Sequence, residues 1–167
     1  MSRFTVLAAI GALAVATSVA VPMPARAESA AVSATCNTLY TTSTAVLGTA
    51  ATVGPASVGY PGQASAQGCQ IAFSGDGTQY GTNFQAVADK LDAMMLGAGW
   101  TRDHNADADG PTGTATGYKK GGELVAVSVG YDTPAGVCRK DEPSASCHPT
   151  AAQMLYTITL GVVAAGS

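Results

Sequence analysis

The sequence predicts an α+β domain: a small antiparallel sheet with one main helix, about residues 83–96, packed on one face and stapled by disulfides. Three observations predict it. Two late segments, 123–131 and 154–162, alternate large apolar residues with small or polar ones, the period of a half-covered strand. Between residues 83 and 96 apolar residues recur every three or four positions, the period of an amphipathic helix. Four cysteines, Cys36, Cys69, Cys138 and Cys147, follow a segment that reads as an export signal.

That segment comes first. Arg3 supplies the positive start, residues 4–21 are uncharged and rich in Ala and Val, and Ala25-Arg26-Ala27 offers the small-x-small pattern a signal peptidase accepts. Cleavage is expected before Glu28, with Pro22 and Pro24 favouring a cleaved signal over a retained anchor. No cysteine directly follows the apolar run, so a lipid anchor is not expected. The expected destination is the periplasm or the extracellular space, with no stable membrane insertion after cleavage.

The 140 residues after Ala27 suit one domain, with a low-charge lead over 28–67 and a compact α+β unit over 68–167. They carry 6 basic against 11 acidic residues, a balance that disfavours nucleic acid and anionic lipid surfaces as partners.

An oxidising compartment makes two disulfides the expectation, and four cysteines allow three connectivities. The favoured one joins Cys36 to Cys69 and Cys138 to Cys147, because the second pair encloses a polar turn between two strands. Zinc is disfavoured, since no C-x2-C spacing occurs and neither histidine is placed to complete a site.

Within the lead, Pro55, Pro61 and several glycines interrupt any period, leaving an irregular stretch with short strands at 40–47 and 56–60. Ile71 and Phe73 then alternate as a strand, and Ser74-Gly75-Asp76-Gly77 ends it with turn residues. Thr82 and Gln85 have the spacing of a capping box, and Phe84, Val87, Leu91 and Met94 or Met95 form the apolar stripe of the helix. Asp89, Lys90 and Asp92 fall on its solvated side, Gly97 and Gly99 stop it, and Trp100 is read as a core anchor. Residues 101–117 read as a solvated loop, and Tyr118 before Lys119-Lys120-Gly121-Gly122 signals a hairpin. Val125, Val127, Val129 and Tyr131 share one face of the next strand, as Tyr156, Ile158, Leu160 and Val162 do in the last.

Candidate chemistry concentrates in that loop. Asn105, Asp107 and Asp109, followed by Gly110, match the N-x-D-x-D-G head of a calcium loop, in which alternate oxygen side chains curl around one ion. Asp103 extends the run of oxygens. The tail departs from the pattern, because Thr116 stands where a bidentate Glu is needed. His104 and His148 have no nucleophile or oxyanion motif near them in sequence, and Ser74 is not in a G-x-S-x-G elbow. Neither phosphate-binding glycine pattern is present. No catalytic residues and no cofactor other than calcium are therefore predicted.

The expectation is a non-enzymatic binding or accessory module for an envelope protein or glycan, with a calcium-dependent structural or adhesive module as the alternative. Ser74-Gly75 and Tyr118-Lys119-Lys120-Gly121 loosely resemble loop motifs of lysozyme inhibitors, which implies an inhibitor as one form of such a module.

Overall fold

The structure, a computed structural model, describes residues 25–138 and 146–166, with side chains from Val32 onward. The segment read as an export signal, up to position 24, and residues 139–145 of the turn expected between Cys138 and Cys147 lie outside the described residues. The elements are α1 (Ala25–Leu47), β1 (Thr52–Val58), β2 (Ala66–Asp76), α2 (Gly77–Tyr80), α3 (Phe84–Gly97), β3 (Thr101–Gly110), β4 (Gly113–Lys120) and β5 (Glu123–Asp132). A 3₁₀ turn (Ala151–Gln153) then leads into β6 (Leu155–Ala164). The strands form one sheet in the order β1-β2-β6-β5-β4-β3, with every neighbouring pair antiparallel. The last strand of the chain thus enters the middle of the sheet.

The expected alternation explains why. Ile71, Leu160 and Val127 lie in one cross-strand row, Phe73, Ile158 and Val129 in the next, and Cys69, Val162, Val125 and Tyr118 in a third. All ten side chains are buried against the helix layer. Burying a Val, Leu, Ile or Phe side chain is worth about 1.5–3 kcal/mol. These rows therefore set the register, because a slip of one residue would turn them out to water.

Helix α3 follows its predicted stripe, with Val87, Leu91 and Met95 buried. Its cap differs from expectation. Asn83, not Thr82, is the N-cap: its backbone is extended and its Oδ1 accepts a hydrogen bond from Gln85 N at 3.0 Å. An asparagine one residue nearer the helix satisfies the orphan amide that a capping-box threonine would have served. At the other end Lys120 Nζ donates to Ala98 O at 2.6 Å and lies 5.8 Å from the ring centre of buried Trp100.

Two segments differ from the sequence expectation. Residues 40–47, expected as a strand within an irregular lead, are the last turns of α1. Thr38, Thr41, Thr42 and Thr44 donate their hydroxyls to carbonyls four residues back, so residues that ordinarily favour extended chain are satisfied inside a helix. Val32, Cys36, Leu39 and Ser43 form its buried stripe, and the Cys36–Cys69 disulfide ties that stripe to β2. Thr35 Oγ1 also donates to Glu123 Oε2 at 2.7 Å, linking α1 to the start of β5. The helix layer therefore holds two long helices, α1 and α3, where one was expected. The strand expected at 56–60 is also present but begins earlier, as β1. Pro55 sits on this edge strand, where a missing N–H need not break a ladder bond.

The second difference is the expected loop over 101–117, which is an antiparallel hairpin of β3 and β4 turning at Pro111 and Thr112. Its register shifts between Asp103 and Ala108. As the outermost strand, β3 has no neighbour on one side and needs no apolar row, so its polar sequence hid it.

The predicted hairpin at Gly121-Gly122 joins β4 to β5, both glycines having positive φ (57° and 84°), as a tight turn of the primed type requires. Both disulfides pair as expected, Cys36–Cys69 and Cys138–Cys147. The result is the predicted α+β architecture, a six-stranded antiparallel sheet with helices on one face.

The opposite face is partly covered. Val58, Tyr60, Ala106, Leu124 and Val163 form a small second cluster there. It depends on glycines: a Cβ on Gly117 would lie 2.4 Å from Ala106 Cβ and 2.5 Å from Tyr60 Oη.

Candidate functional site

A polar cleft of about 140 Å³ opens where α3 lies beside the β3–β4 hairpin. Asp89 and Asp92, three apart, fall on one face of α3. Asp107 and Asp109, two apart, fall on one side of β3. Thr114 and Thr116 of β4 and Arg102 of β3 also line it.

Each carboxylate is oriented by a neighbour. Asp92, whose side chain is 17% exposed, accepts hydrogen bonds from Arg102 Nε and from Tyr118 Oη at 2.8 Å. Asp109 accepts from Thr114 Oγ1 at 2.7 Å, and Asp89 from Gln85 Nε2 at 3.3 Å. Asp107 faces His104 Nδ1 at 2.9 Å. Four acidic residues thus line a cleft in which Arg102 is the one permanent cation among the lining residues.

The Arg102 hydrogen bond is the main cause holding Asp92 below the ordinary carboxylate range, with Tyr118 adding to it and burial opposing it. Burial and the Asp92 charge push the Tyr118 hydroxyl up. A depressed folded value means the ionised carboxylate stabilises the fold above the unfolded Asp value of about 3.9. That contribution is lost as the pH falls through the folded value. Thermal melts at pH 7 and pH 3 are therefore expected to show a smaller acid-induced drop for Asp92→Asn than for the unaltered chain. An equal drop in both would show that Asp92 does not anchor α3 to β3 through its charge.

Sequence reasoning proposed Asn105, Asp107 and Asp109 as ligands of one curled loop. The structure places all three on β3, Asn105 and Asp107 in the stretch where its register with β4 shifts and Asp109 paired with Thr114. Asp107 and Asp109 reach the cleft, while Asn105 is exposed and is not part of its lining. Among the described residues no group of three or more His, Cys, Asp or Glu side chains is arranged to hold a metal. Asp103 is engaged on the opposite face, accepting from Tyr60 Oη at 2.9 Å and pairing with Lys119 Nζ at 2.7 Å. Lys119 is the main cause lowering its pKa.

The His104 side chain is 75% exposed beside Asp107, and His148 is exposed after Cys147. Ser74-Gly75 lies within β2 beside Thr157 and Tyr156, whereas Tyr118-Lys119-Lys120 lies at the other end of the sheet beside residues 123–125. The two motifs that resemble inhibitor loops therefore share no loop and no end of the sheet.

Asp89 and Asp92 were missed as site residues because they read as a solvated helix face. The available signal was their i, i+3 spacing, which becomes informative only once β3 is known to run past that face.

A second, shallower depression of about 390 Å³ lies on the open sheet face, where Gly110, Gly113, Ser128, Gly130, Asp132 and Thr157 present little bulk.

Fold and site together define a disulfide-stapled α+β domain with a carboxylate-lined cleft at one edge of its sheet. No family model, no curated protein and no solved structure matches the chain.

Proposed function

We propose that the protein is an exported, non-enzymatic binding module that seats a basic side chain of a partner protein in the cleft between α3 and β3. The observation that carries this reading is that Asp89, Asp92, Asp107 and Asp109 line one concavity, with Arg102 the one permanent cation among the described lining residues. A volume of about 140 Å³ suits the head of one Lys or Arg side chain, whereas small-molecule sites run to about 300–1,000 Å³. Carboxylates already oriented by Thr114, Gln85 and His104 lose little freedom on meeting a cation. Export is supported by the small-x-small pattern at Ala25-Arg26-Ala27 and by the two disulfides. Among the described residues no helix is long and apolar enough to cross a membrane.

Calcium held by the Asn105–Asp109 run is the second reading, supported by Asp107 and Asp109 both lining the cleft.

Amide NMR spectra of the oxidised chain lacking residues 1–27 separate these readings when it is titrated with tetralysine, a chitin oligosaccharide or calcium chloride. Tetralysine is expected to shift Asp89, Arg102, Asp107 and Thr116, with the effect lost in Asp89→Asn/Asp107→Asn and reduced in high salt. Shifts with calcium alone would favour the second reading, and shifts with the oligosaccharide alone a glycan partner. Tetralysine shifts spread evenly over all acidic residues would remove the cleft as the site.

A further inference from the structure

Strand β3 is one edge of the sheet, and among the described residues β4 is its only strand partner. Eight of its ten residues are exposed, Asp103 and Ala106 being the exceptions. The hairpin fixes the direction of its backbone groups. Thr112 O accepts from Tyr131 N at 2.9 Å, which makes Gly113–Gly130 a pair without bonds of its own and turns the Gly113 amide and carbonyl towards Gly110. Gly110 and Gly113 therefore exchange both bonds, as Ala108 and Ala115 do, while the intervening Asp109, opposite Thr114, points its amide and carbonyl away from β4.

An edge of this kind is a template for one more strand unless something blunts it. At the opposite edge, β1 contains Pro55 and has no ionisable side chain. Strand β3 carries charge instead. Asp107 and Asp109 line the cleft together with Asp89 of α3, while the guanidinium of Arg102 is taken up by Asp92. A second copy pairing through its own β3 would set these aspartates against one another, and like charges directly opposite oppose pairing. A copy's β1 would bring no charge to meet them. The edge therefore suits an extended segment of positive charge, kept short by the register shift between Asp103 and Ala108.

We propose that the outer edge of β3 around Asp109 receives an extended segment of a partner protein as an added strand, with Lys or Arg at two alternate positions meeting Asp107 and Asp109. Resting on the reading of the cleft as a seat for a basic side chain, this mode of binding fixes how that side chain is delivered. Side chains on one face of a strand alternate along it, as Asp107 and Asp109 do on β3, and neighbouring strands lie about 4.7–4.9 Å apart. One basic head then lies beside Asp109 and the other beside Asp107, where Asp89 shares the cleft. Backbone bonds to Asp109 hold the segment, and its alternate side chains give the selectivity.

The test is amide NMR and hydrogen exchange on the oxidised protein with three acetylated, amidated peptides: Thr-Lys-Thr-Lys-Thr, the same peptide with both lysine amides N-methylated, and the isomer Thr-Thr-Lys-Lys-Thr. A lysine opposite Asp109 points its own N–H at β3, so methylation there removes the backbone bond and keeps the charge. Thr-Lys-Thr-Lys-Thr is expected to shift Asp89, Asp107 and Asp109, to slow exchange of the Asp109 amide, and to bind about ten-fold more tightly than either of the others. Equal affinity of the three peptides, with the cleft residues shifted by each, would overturn the added strand and leave the cleft as a seat for a basic side chain. An Asp109 amide that exchanges at the same rate with and without Thr-Lys-Thr-Lys-Thr would do the same. Cleft residues left unshifted by all three peptides would overturn both.

Discussion

Replacing Cys36 and Cys69 together by alanine is expected to lower the unfolding free energy by about 3.7 kcal/mol, the chain-entropy value for a closed loop of 33 positions. The same change at Cys138 and Cys147, which close 9 positions, is expected to cost about 2.6 kcal/mol. Alanine is the better replacement because it introduces no hydroxyl into the buried site of Cys36 and Cys69. The larger loss has a second source. Helix α1 is rich in threonine and serine, which are weak helix formers. Its order rests on packing against β2, α3 and β6, and the disulfide holds it there. Urea unfolding of both double variants measures the two losses, and hydrogen exchange should show the α1 amides losing protection first in the Cys36 variant. A loss below about 1 kcal/mol at Cys36–Cys69 would show that α1 docks without the bond.

Gly68→Ala carries the next largest expected effect. A Cβ at this position would lie 2.0 Å from the carbonyl oxygen of Val162 and 3.3 Å from Val58 Cγ2. The first of these is backbone in the central strand and cannot turn aside as a side-chain tip could. Either β2 or β6 must shift, and the adjoining pair Cys69–Val162 belongs to a core row. The expected cost is about 3 kcal/mol, at the upper end of ordinary overpacking penalties. Gly54→Ala is the matched control, since nothing lies within 4 Å of its Cβ position on edge strand β1. It should stay within about 0.5 kcal/mol of the unaltered chain. Equal urea midpoints for the two variants would mean that the β2–β6 spacing is looser than the structure shows.

Legibility in the sequence followed how many neighbours an element has. Strands β5 and β6 are flanked on both sides and covered on one face along their length, so their large apolar residues alternate through most of each strand and both were read to within a residue or two. In α3, Val87, Leu91 and Met95 mark the buried side as plainly. For α1 the buried stripe is Val32, Cys36, Leu39 and Ser43, in which a cysteine and a serine stand where a large apolar residue would have announced a helix. Strand β3 hid for the opposite reason. Its Asn, Asp and Gly residues are turn formers in isolation, and as an edge strand it exposes almost all of them to water.

The candidate site shares that history. Asp107 and Asp109 were picked out as oxygen donors, but the loop expected to curl them around one ion is extended, and their cleft neighbours come from α3 instead. No local pattern joins positions 89 and 92 to 107 and 109, because the distance between these pairs in sequence is closed only by the turn at Gly99 and the hairpin pairing of β3 with β4.

By itself the sequence determined the fold class, the main helix and the two central strands, and it favoured one of three cysteine pairings. Each of these rests on a short-range period or on the order of residues along the chain. Only the tertiary structure decided that α1 is a helix, that residues 101–120 form a hairpin, and that four carboxylates share a cleft. Those features depend on what a neighbouring element covers or leaves open. A threonine-rich segment becomes helical when one face of it is buried and bonded to β2, and a polar segment becomes a strand when β4 supplies its hydrogen bonds.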